Sequence, residues 1–402
     1  MKILFLTDNF PPEFNAPAVR TFEHCKKWVD LGAKVTVITC FPNFPKGEIY
    51  SGYKNKFYST ENINGIKVIR VWTYISSNSG FFKRIIDYLS FGLNSFLFGI
   101  FQNFDVVIGT SPQFFTAISA RLISFFKRKP WIMEVRDIWP ESIAAVGALK
   151  RTSTLYKILS NIEFHLYKSS TGIVVVTDSF KAYLLKLGIL ESKISVIKNG
   201  VIKFDTTKIG NKRSLFKELG IDKKFIISYI GTHGMAHALD FILDCISEIK
   251  DEDVHFIFQG DGSEKNKLIN HANTLKLNNI TFLPAVEKEL IYEYINSIDI
   301  ALINLKKSDT FKSVIPSKIF ENILFKKPIL LGVEGEAYEL ITKYKVGICY
   351  TPENKNSFLR SVKKIKTFKK NNFENNCDNL INDFERKKLA SDMLDFLKKN
   401  TI

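Results

Sequence analysis

The chain has 402 residues, 45 % hydrophobic and 24 % charged, which excludes a disordered polymer and exceeds one ordinary core. Lys+Arg 57 against Asp+Glu 41 leaves a formal charge of +16, a surplus that favours an anionic partner. The scattered cysteines Cys25, Cys40, Cys245, Cys349 and Cys377 are odd in number and form no C-x-x-C pair. They argue for reduced thiols and against a disulfide framework or a zinc site.

The start, M-K-I-L-F-L-T-D-N-F-P-P, carries too short an apolar run for a secretory leader, so a cytoplasmic location is expected. Within it I-L-F-L at 3–6 predicts a buried strand. A loop with Pro11, Pro12 and Pro17 follows, then a helix from Ala18 to Leu31 that stops at Gly32. V-T-V-I-T at 35–39 completes a strand–helix–strand unit whose crossover is expected to be right-handed. Further strands are predicted at 66–71, 105–110, 131–136, 172–177 and 194–198.

Residues 85–101, I-I-D-Y-L-S-F-G-L-N-S-F-L-F-G-I-F, are interrupted by Asp87, Asn94 and Ser95. They fall short of the roughly 20 clean apolar residues of a membrane-spanning helix. Following Phe81, Phe82, Lys83 and Arg84, they suit a helix lying in the headgroup region of an anionic membrane. An ordinary packing helix is the alternative.

In the second half, strands are predicted at 225–230, 254–259, 280–283, 299–304, 328–332 and 346–350, each separated by a helical pattern. Alternation on both sides of a divide near 205 predicts an α/β chain with two doubly wound, Rossmann-like parallel sheets. The domains are expected at 1–204 and 205–382, with an amphipathic helix at about 383–402 packing back on the first. Ligands of such sheets gather beyond the carboxyl ends of the strands, so two sheets facing each other are expected to line one cleft.

The loops there carry the candidate chemistry. After 225–230 comes G-T-H-G-M-A-H-A-L-D, where Gly231 and Gly234 allow close backbone approach and His233 and His237 are candidate phosphate partners. After 254–259 comes Q-G-D-G-S-E. Gly260 and Gly262 either make a nucleotide-binding turn or a tight strand-to-helix turn, and no third glycine supports a dinucleotide.

The stretch S-V-I-P-S-K-I-F-E-N at 313–322 predicts a helix opening at Pro316, with Ile319, Phe320, Ile323 and Leu324 on its packing face. Ser317, Lys318 and helix-start amides suit a diphosphate, and Glu321 suits the vicinal hydroxyls of a ribose. Capping and a surface charge are the bland accounts. In the first half, E-F-N-A-P-A-V-R at 13–20 places Asn15 and Arg20 at a helix start. E-V-R-D-I-W-P-E-S at 134–142 gathers Arg136, Asp137 and Glu141 at a strand end, a grouping that is either functional or a structural ion pair. There is no Ser/His/Asp arrangement, no Walker lysine loop, no D-x-D metal pair and no nucleic-acid recognition motif.

The stretches D-N-F-P-P-E, L-G-A-K-V-T-V-I-T with F-P-N-F-P-K-G, V-R-D-I-W-P-E-S, V-I-K-N-G-V, G-D-G-S-E, P-S-K-I-F-E and G-V-E-G-E-A occur in order along the chain. By them it resembles, over nearly its whole length, the bacterial glycosyltransferase family 4 enzymes of the two-domain GT-B fold. Within these it is similar to the O-antigen and capsule subgroup, L-fucosamine transferases in particular. The resemblance implies sugar transfer from a nucleotide diphosphate sugar, with retention and without metal or other cofactor. The +16 charge, the Phe-rich segment near 81–101 and the basic F-F-K-R-K-P at 125–130 lead us to expect an acceptor sugar on a polyprenyl diphosphate at the inner face of the cell membrane.

The resemblance also implies that Glu321 is the ribose-binding glutamate of a paired motif whose first glutamate is here Ser313. Thr232 and His237 stand where relatives commonly carry Arg and Lys, leaving Lys318, Lys198, Arg136 and Arg20 to meet the diphosphate. Asp137 matches a position near the sugar; with Lys318 and Arg136 it forms the expected catalytic set. A nucleotide-sugar 2-epimerase and a non-catalytic nucleotide- or membrane-binding subunit are the alternatives.

Overall fold

The computed structural model describes residues 1–44, 47–75, 81–111, 114–145, 147, 149–368 and 372–401. Pro45 and Lys46 of the F-P-N-F-P-K-G stretch lie outside the described residues, as do the side chains of Phe81 and Phe82. The chain divides into two compact units, one of residues 1–199 with 386–402 and one of residues 200–385.

The first unit is built on β1 (Lys2–Leu6), β2 (Lys34–Cys40), β3 (Tyr58–Ile63), β4 (Ile66–Val71), β5 (Val106–Thr110), β6 (Trp131–Val135), β7 (Gly172–Val175) and β8 (Ile194–Val196). Their order across the sheet is β3-β4-β2-β1-β5-β6-β7-β8. Every pairing is parallel except β3 with β4, where Tyr58 stands opposite Val71. Adjacent β1 residues serve opposite layers: Leu4 and Leu6 join one buried cluster, Ile3 and Phe5 the other. Burial on both faces is why these strands read as unbroken apolar runs.

The sequence reading missed β3. Its residues Y-S-T-E-N-I alternate exposed and half-buried, so an edge strand here has no apolar face to announce it.

The helix Arg386–Lys399 belongs to this unit. Its Met393, Leu394 and Leu397 pack in the cluster of Ile3, Phe5 and Trp28, and Trp28 Nε1 donates to the Ala390 carbonyl at 2.8 Å.

The second unit holds β9 (Phe225–Ile230), β10 (Val254–Gln259), β11 (Ile280–Leu283), β12 (Ile300–Asn304), β13 (Ile329–Gly332) and β14 (Gly347–Cys349). Their order is β11-β10-β9-β12-β13-β14, all parallel. In each sheet the chain winds outward to one side and then restarts on the other, between β1 and β5 and between β9 and β12. Loops diverge at these switch points and leave room for a ligand.

Candidate functional site

In the second unit the loops after β9 and β10 continue side by side beyond the strands. Gly231 N donates to Gln259 O at 2.8 Å, His233 N to Asp261 O at 2.8 Å, and Glu264 N to His233 O at 3.0 Å. Their contact is too close for side chains. A Cβ on Gly260, whose φ is +143°, would lie 1.9 Å from the Gly231 carbonyl oxygen. One on Gly262 would lie 2.5 Å from the His233 carbonyl oxygen. Lys265 Nζ ties the turn down by donating to Gly260 O at 2.7 Å and Leu283 O at 3.1 Å.

Across the switch point, the loop after β12 meets the loop after β9. Lys306 N donates to Ala236 O at 2.8 Å, and Asn304 Nδ2 donates to His237 O at 2.8 Å. Asn304 is held in turn by the Tyr350 hydroxyl at 2.7 Å.

Lys318 reaches into this junction. Its Nζ donates to the Tyr229 hydroxyl at 3.0 Å and lies 4.1 Å from the centre of that ring. A Cβ on Gly231 would fall 2.2 Å from the same nitrogen, so the glycine is what admits the ammonium. Burial lowers the Lys318 pKa to about 7, against a smaller opposing pull from Glu321. The Tyr229 hydroxyl donates onward to the Thr232 carbonyl at 2.6 Å. The arrangement offers a partly desolvated cation on a glycine-lined turn, receptive to an anion that would restore its full charge.

The helix expected to open at Pro316 spans Lys318–Leu324, and its cap residue Ser317 makes no side-chain capping bond. Pro316 therefore lies before the helix, not at its first position. The amides of Ile319 and Phe320 donate to the carbonyls of Pro316 and Ser317, both at 3.1 Å, so they are not free for a diphosphate. The positive charge carried by a side chain at this turn is that of Lys318. Glu321, half-buried, sits on the same helix. Ser313 closes the 3-10 turn Asp309–Ser313, its hydroxyl donating to Thr310 O at 2.7 Å.

Both histidines are held neutral at pH 7. Burial, then Lys265 and Lys318, lower His233 to about 4; burial, then Lys318, lower His237 to about 3. His233 is fully buried, with both ring nitrogens unpartnered, and does not reach a ligand. His237 stays half-buried with Nδ1 3.4 Å from Asn304 O, so it offers a neutral hydrogen bond and no charge.

In the first unit, Asn15 and Arg20 prove to be structural. Asn15 caps the helix Ala16–Asp30, its side chain accepting from Ala18 N at 2.9 Å. Arg20 is buried against Glu134, with Nε 3.0 Å from Oε1. It donates further to Lys198 O at 2.9 Å, Ile197 O at 2.9 Å and the Asn199 side chain at 3.2 Å. Four of the five guanidinium N–H donors are thus spent within its own unit, which makes Arg20 a structural residue before anything else. Lys198 Nζ pairs with Asp178 at 2.5 Å.

Arg136 and Asp137 follow β6 at the carboxyl edge, both amides donating to the Ser111 hydroxyl, at 2.8 and 3.3 Å. Burial raises Asp137 to about 6, opposed by a Ser142 hydrogen bond and by Arg136. Burial pulls Arg136 down, and Glu134 is the strongest group pulling it back up.

The sequence reading did not single out the acids that share this edge. Asp8 is raised by burial; Glu13, raised by burial to about 7, accepts from the amides of Asn43 and Phe44 at 2.8 and 2.9 Å. Asp87, raised to about 7 by burial and then by Asp8, comes from the helix Phe81–Gly99. Their one sequence signal was position, Asp8 and Glu13 lying just after β1 at the switch point.

A cavity of about 620 Å³ lined by Met1, Asp105, Arg128, Lys129, Pro130, Lys398 and Thr401 opens at the opposite, amino edge of this sheet. It shares no residue with either group above.

Comparison with known proteins bears on this geometry. Residues 18–202 match Glycosyltransferase Family 4, and residues 211–382 match Glycosyl transferases group 1. A protein of Escherichia coli (strain K12) named as a colanic acid biosynthesis glycosyl transferase, WcaI, is 21 % identical over 92 % of this chain and 94 % of its own. WbjE of Pseudomonas aeruginosa, named as a glycosyltransferase, is 26 % identical over 65 % of this chain and 66 % of its own. Among solved structures, Anabaena Alr3699/HepE in complex with UDP-glucose superposes with a TM-score of 0.70 at 15 % identity, covering 99 % of this chain and 100 % of that one. The two family matches fall one on each unit and between them take in most of the sequence. The chain belongs to the bacterial family 4 glycosyltransferases and has their two-domain GT-B fold.

Proposed function

We propose that this glycosyltransferase moves a sugar, with retention, from a UDP sugar to a lipid-diphosphate-linked acceptor during synthesis of a cell-surface polysaccharide such as O-antigen or capsule. The donor sugar we infer is an N-acetylated 6-deoxyhexosamine of the L-FucNAc kind. The carrying observation is the Lys318 ammonium admitted by Gly231 at the switch point, a cation with about half its proton at neutral pH. UDP-glucose in HepE and the polysaccharide role in the name of WcaI support the donor and the setting.

In this reading Lys318 takes the diphosphate, with His237 and the backbone of Gly231 and Thr232 beside it, and Glu321 takes the ribose hydroxyls. Gly260 and Gly262 shape the turn. Positioned charge stabilises the departing diphosphate without a metal ion, and its oxygen receives the acceptor proton on the same face. Asp137 and Arg136 serve the acceptor. The enzyme works in the cytoplasm against the anionic inner face of the membrane, where a polyprenyl-linked acceptor resides.

Mass spectrometry of UDP sugars incubated with a short synthetic lipid-diphosphate sugar tests the proposal, with and without chelator. Transfer that survives chelation, with the donor anomer retained by NMR, is expected. Epimerised donor in the acceptor-free arm, or turnover lost on chelation, would refute it.

A further inference from the structure

The helix Phe81–Gly99 is 19 residues long, about 28 Å at 1.5 Å per residue. It packs in parallel against the helix Phe114–Lys127. A Cβ on Gly92 would lie 2.9 Å from Phe115 Cβ, one on Gly99 would lie 2.4 Å from Ile123 Cδ1, and Ser119 Oγ donates to Gly92 O at 2.6 Å. Glycines at this seam bring the two backbones close and turn the larger residues of the first helix elsewhere.

Those residues are Ile86, Leu89, Leu93 and Leu97. Their spacing of three, four and four puts them on one stripe, and all four are exposed, Leu93 by 61 %. The stripe does not end with the helix. Phe101 is 83 % exposed just beyond it, and Phe125 and Phe126 are 74 % and 60 % exposed at the matching end of the second helix. The Phe126 ring stands 5.9 Å from that of Phe96, which joins the two ends into one surface. Isolated exposed leucines are ordinary, but a row of this length is not.

Charge identifies the occupant. Across residues 83–133 the cations Lys83, Arg84, Arg121, Lys127, Arg128 and Lys129 face only Asp87 and Asp105. All six cations are exposed, two at the start of the stripe and the rest at or beyond its far end. Asp105 bonds to Lys2 N at 2.6 Å, and burial keeps Asp87 substantially protonated at neutral pH. Apolar side chains bracketed by uncompensated cations match acyl chains bordered by anionic headgroups. Among the described residues no helix is long and apolar enough to cross a membrane, so the contact is one of lying on the surface.

We infer that the face made by Ile86, Leu89, Leu93 and Leu97, with Phe101, Phe125 and Phe126 at its end, docks into the headgroup layer of an anionic bilayer. The inference rests on the proposed lipid-linked acceptor and names the surface that meets its membrane. It also gives the docking a direction. The amino end of the helix lies at the carboxyl edge of the sheet: Tyr88 packs 6.3 Å from Trp139, just past Asp137, and Asp87 interacts with Asp8. The charged start of the membrane face therefore adjoins Asp137, the carboxylate assigned to the acceptor, and the aromatic end anchors the far side.

Flotation of the full chain with phosphatidylglycerol-containing vesicles, and separately with pure phosphatidylcholine vesicles, tests this without any sugar substrate. Binding to the anionic vesicles alone is expected, falling with salt. Leu93→Ser with Phe125→Ser should weaken it about a hundredfold, roughly tenfold for each buried apolar side chain lost. Lys127→Glu with Arg128→Glu should abolish the preference for anionic lipid. Leu190→Ser, exposed but off this face, should change nothing and controls for folding.

Turnover of a soluble short-chain acceptor should be equal in all variants, so a failed transferase reading and a failed docking face give different results. The inference is overturned if the wild type ignores anionic vesicles or if the Leu93 and Phe125 variants bind undiminished. It is equally overturned if sedimentation finds a dimer that these variants dissociate.

Discussion

Lys318 Nζ rests 3.0 Å from the Tyr229 hydroxyl and 4.1 Å from the centre of the same ring, a cation held by an aromatic face and a neutral oxygen. Neither partner carries a negative charge, so the ammonium is held at a cost. The folded chain loses the Lys318 proton near 7, whereas the unfolded chain keeps it to its ordinary 10.5. Between those values the unfolded state binds more protons, so stability rises with pH; below 7 the penalty is present in full. Lys318→Met is expected to stabilise the protein at pH 6 by on the order of 1–3 kcal/mol, with the gain shrinking towards pH 10. Thermal melts at the two pH values check this, and the same variant should lose transfer.

An arriving diphosphate should return the missing proton. Calorimetric titration of UDP at pH 8, in two buffers of different ionisation enthalpy, is expected to report uptake of up to one proton per site. Lys318→Met should report none. Equal proton uptake in both proteins would show that another group is responsible.

Two glycines with positive φ give a paired test of the turn. Gly260→Ala drives a Cβ to 1.9 Å from the Gly231 carbonyl oxygen, while Gly188, at φ +78°, has nothing within 4 Å. Gly188→Ala should cost about 1 kcal/mol, the conformational penalty alone. Gly260→Ala should cost about 3 kcal/mol or more, because backbone must move. Urea denaturation distinguishes them, and only Gly260→Ala should raise the donor KM.

The buried ion pair of Arg20 and Glu134 predicts non-additive mutants. Arg20→Ala strands a buried carboxylate whose Oε2 already has no hydrogen-bond partner, at about 3–5 kcal/mol. Arg20→Ala with Glu134→Gln should recover part of that loss, and a double-mutant cycle by denaturation measures the coupling.

For Asp137 the readout is the acid limb. A carboxyl raised to about 6 and needed as carboxylate makes kcat/KM fall below pH 6. Asp137→Asn should lower the plateau by about a hundredfold and leave the remaining rate flat through that region. A retained limb near pH 6 would assign it to another acid.

How much was legible beforehand varied with burial. Strands flanked by helices on both faces declared themselves as apolar runs, and every such run became a strand in place. The edge strand Tyr58–Ile63, polar on one side and half-covered on the other, carried no such signature. Arg20 shows the harder limit: an arginine in a first turn reads the same whether it meets a phosphate or its own fold. Its partners lie 114 to 179 residues away, a distance no local pattern spans. Lys318 was legible as a cation at a helix start, suited to a diphosphate, but its place against Gly231 and its loss of charge near neutrality come from the fold and from burial. The raised pKa values of Glu13 and Asp87 were hidden for the same reason.

The return of helix Arg386–Lys399 to the first unit has a consequence for biosynthesis. Emerging from the ribosome, residues 1–199 lack the segment that covers Trp28 and Ile3, while residues 200–385 are already whole. The portion translated first is thus the last to close its core, and until residues 386–399 have emerged its bare apolar flank is a natural client for chaperones.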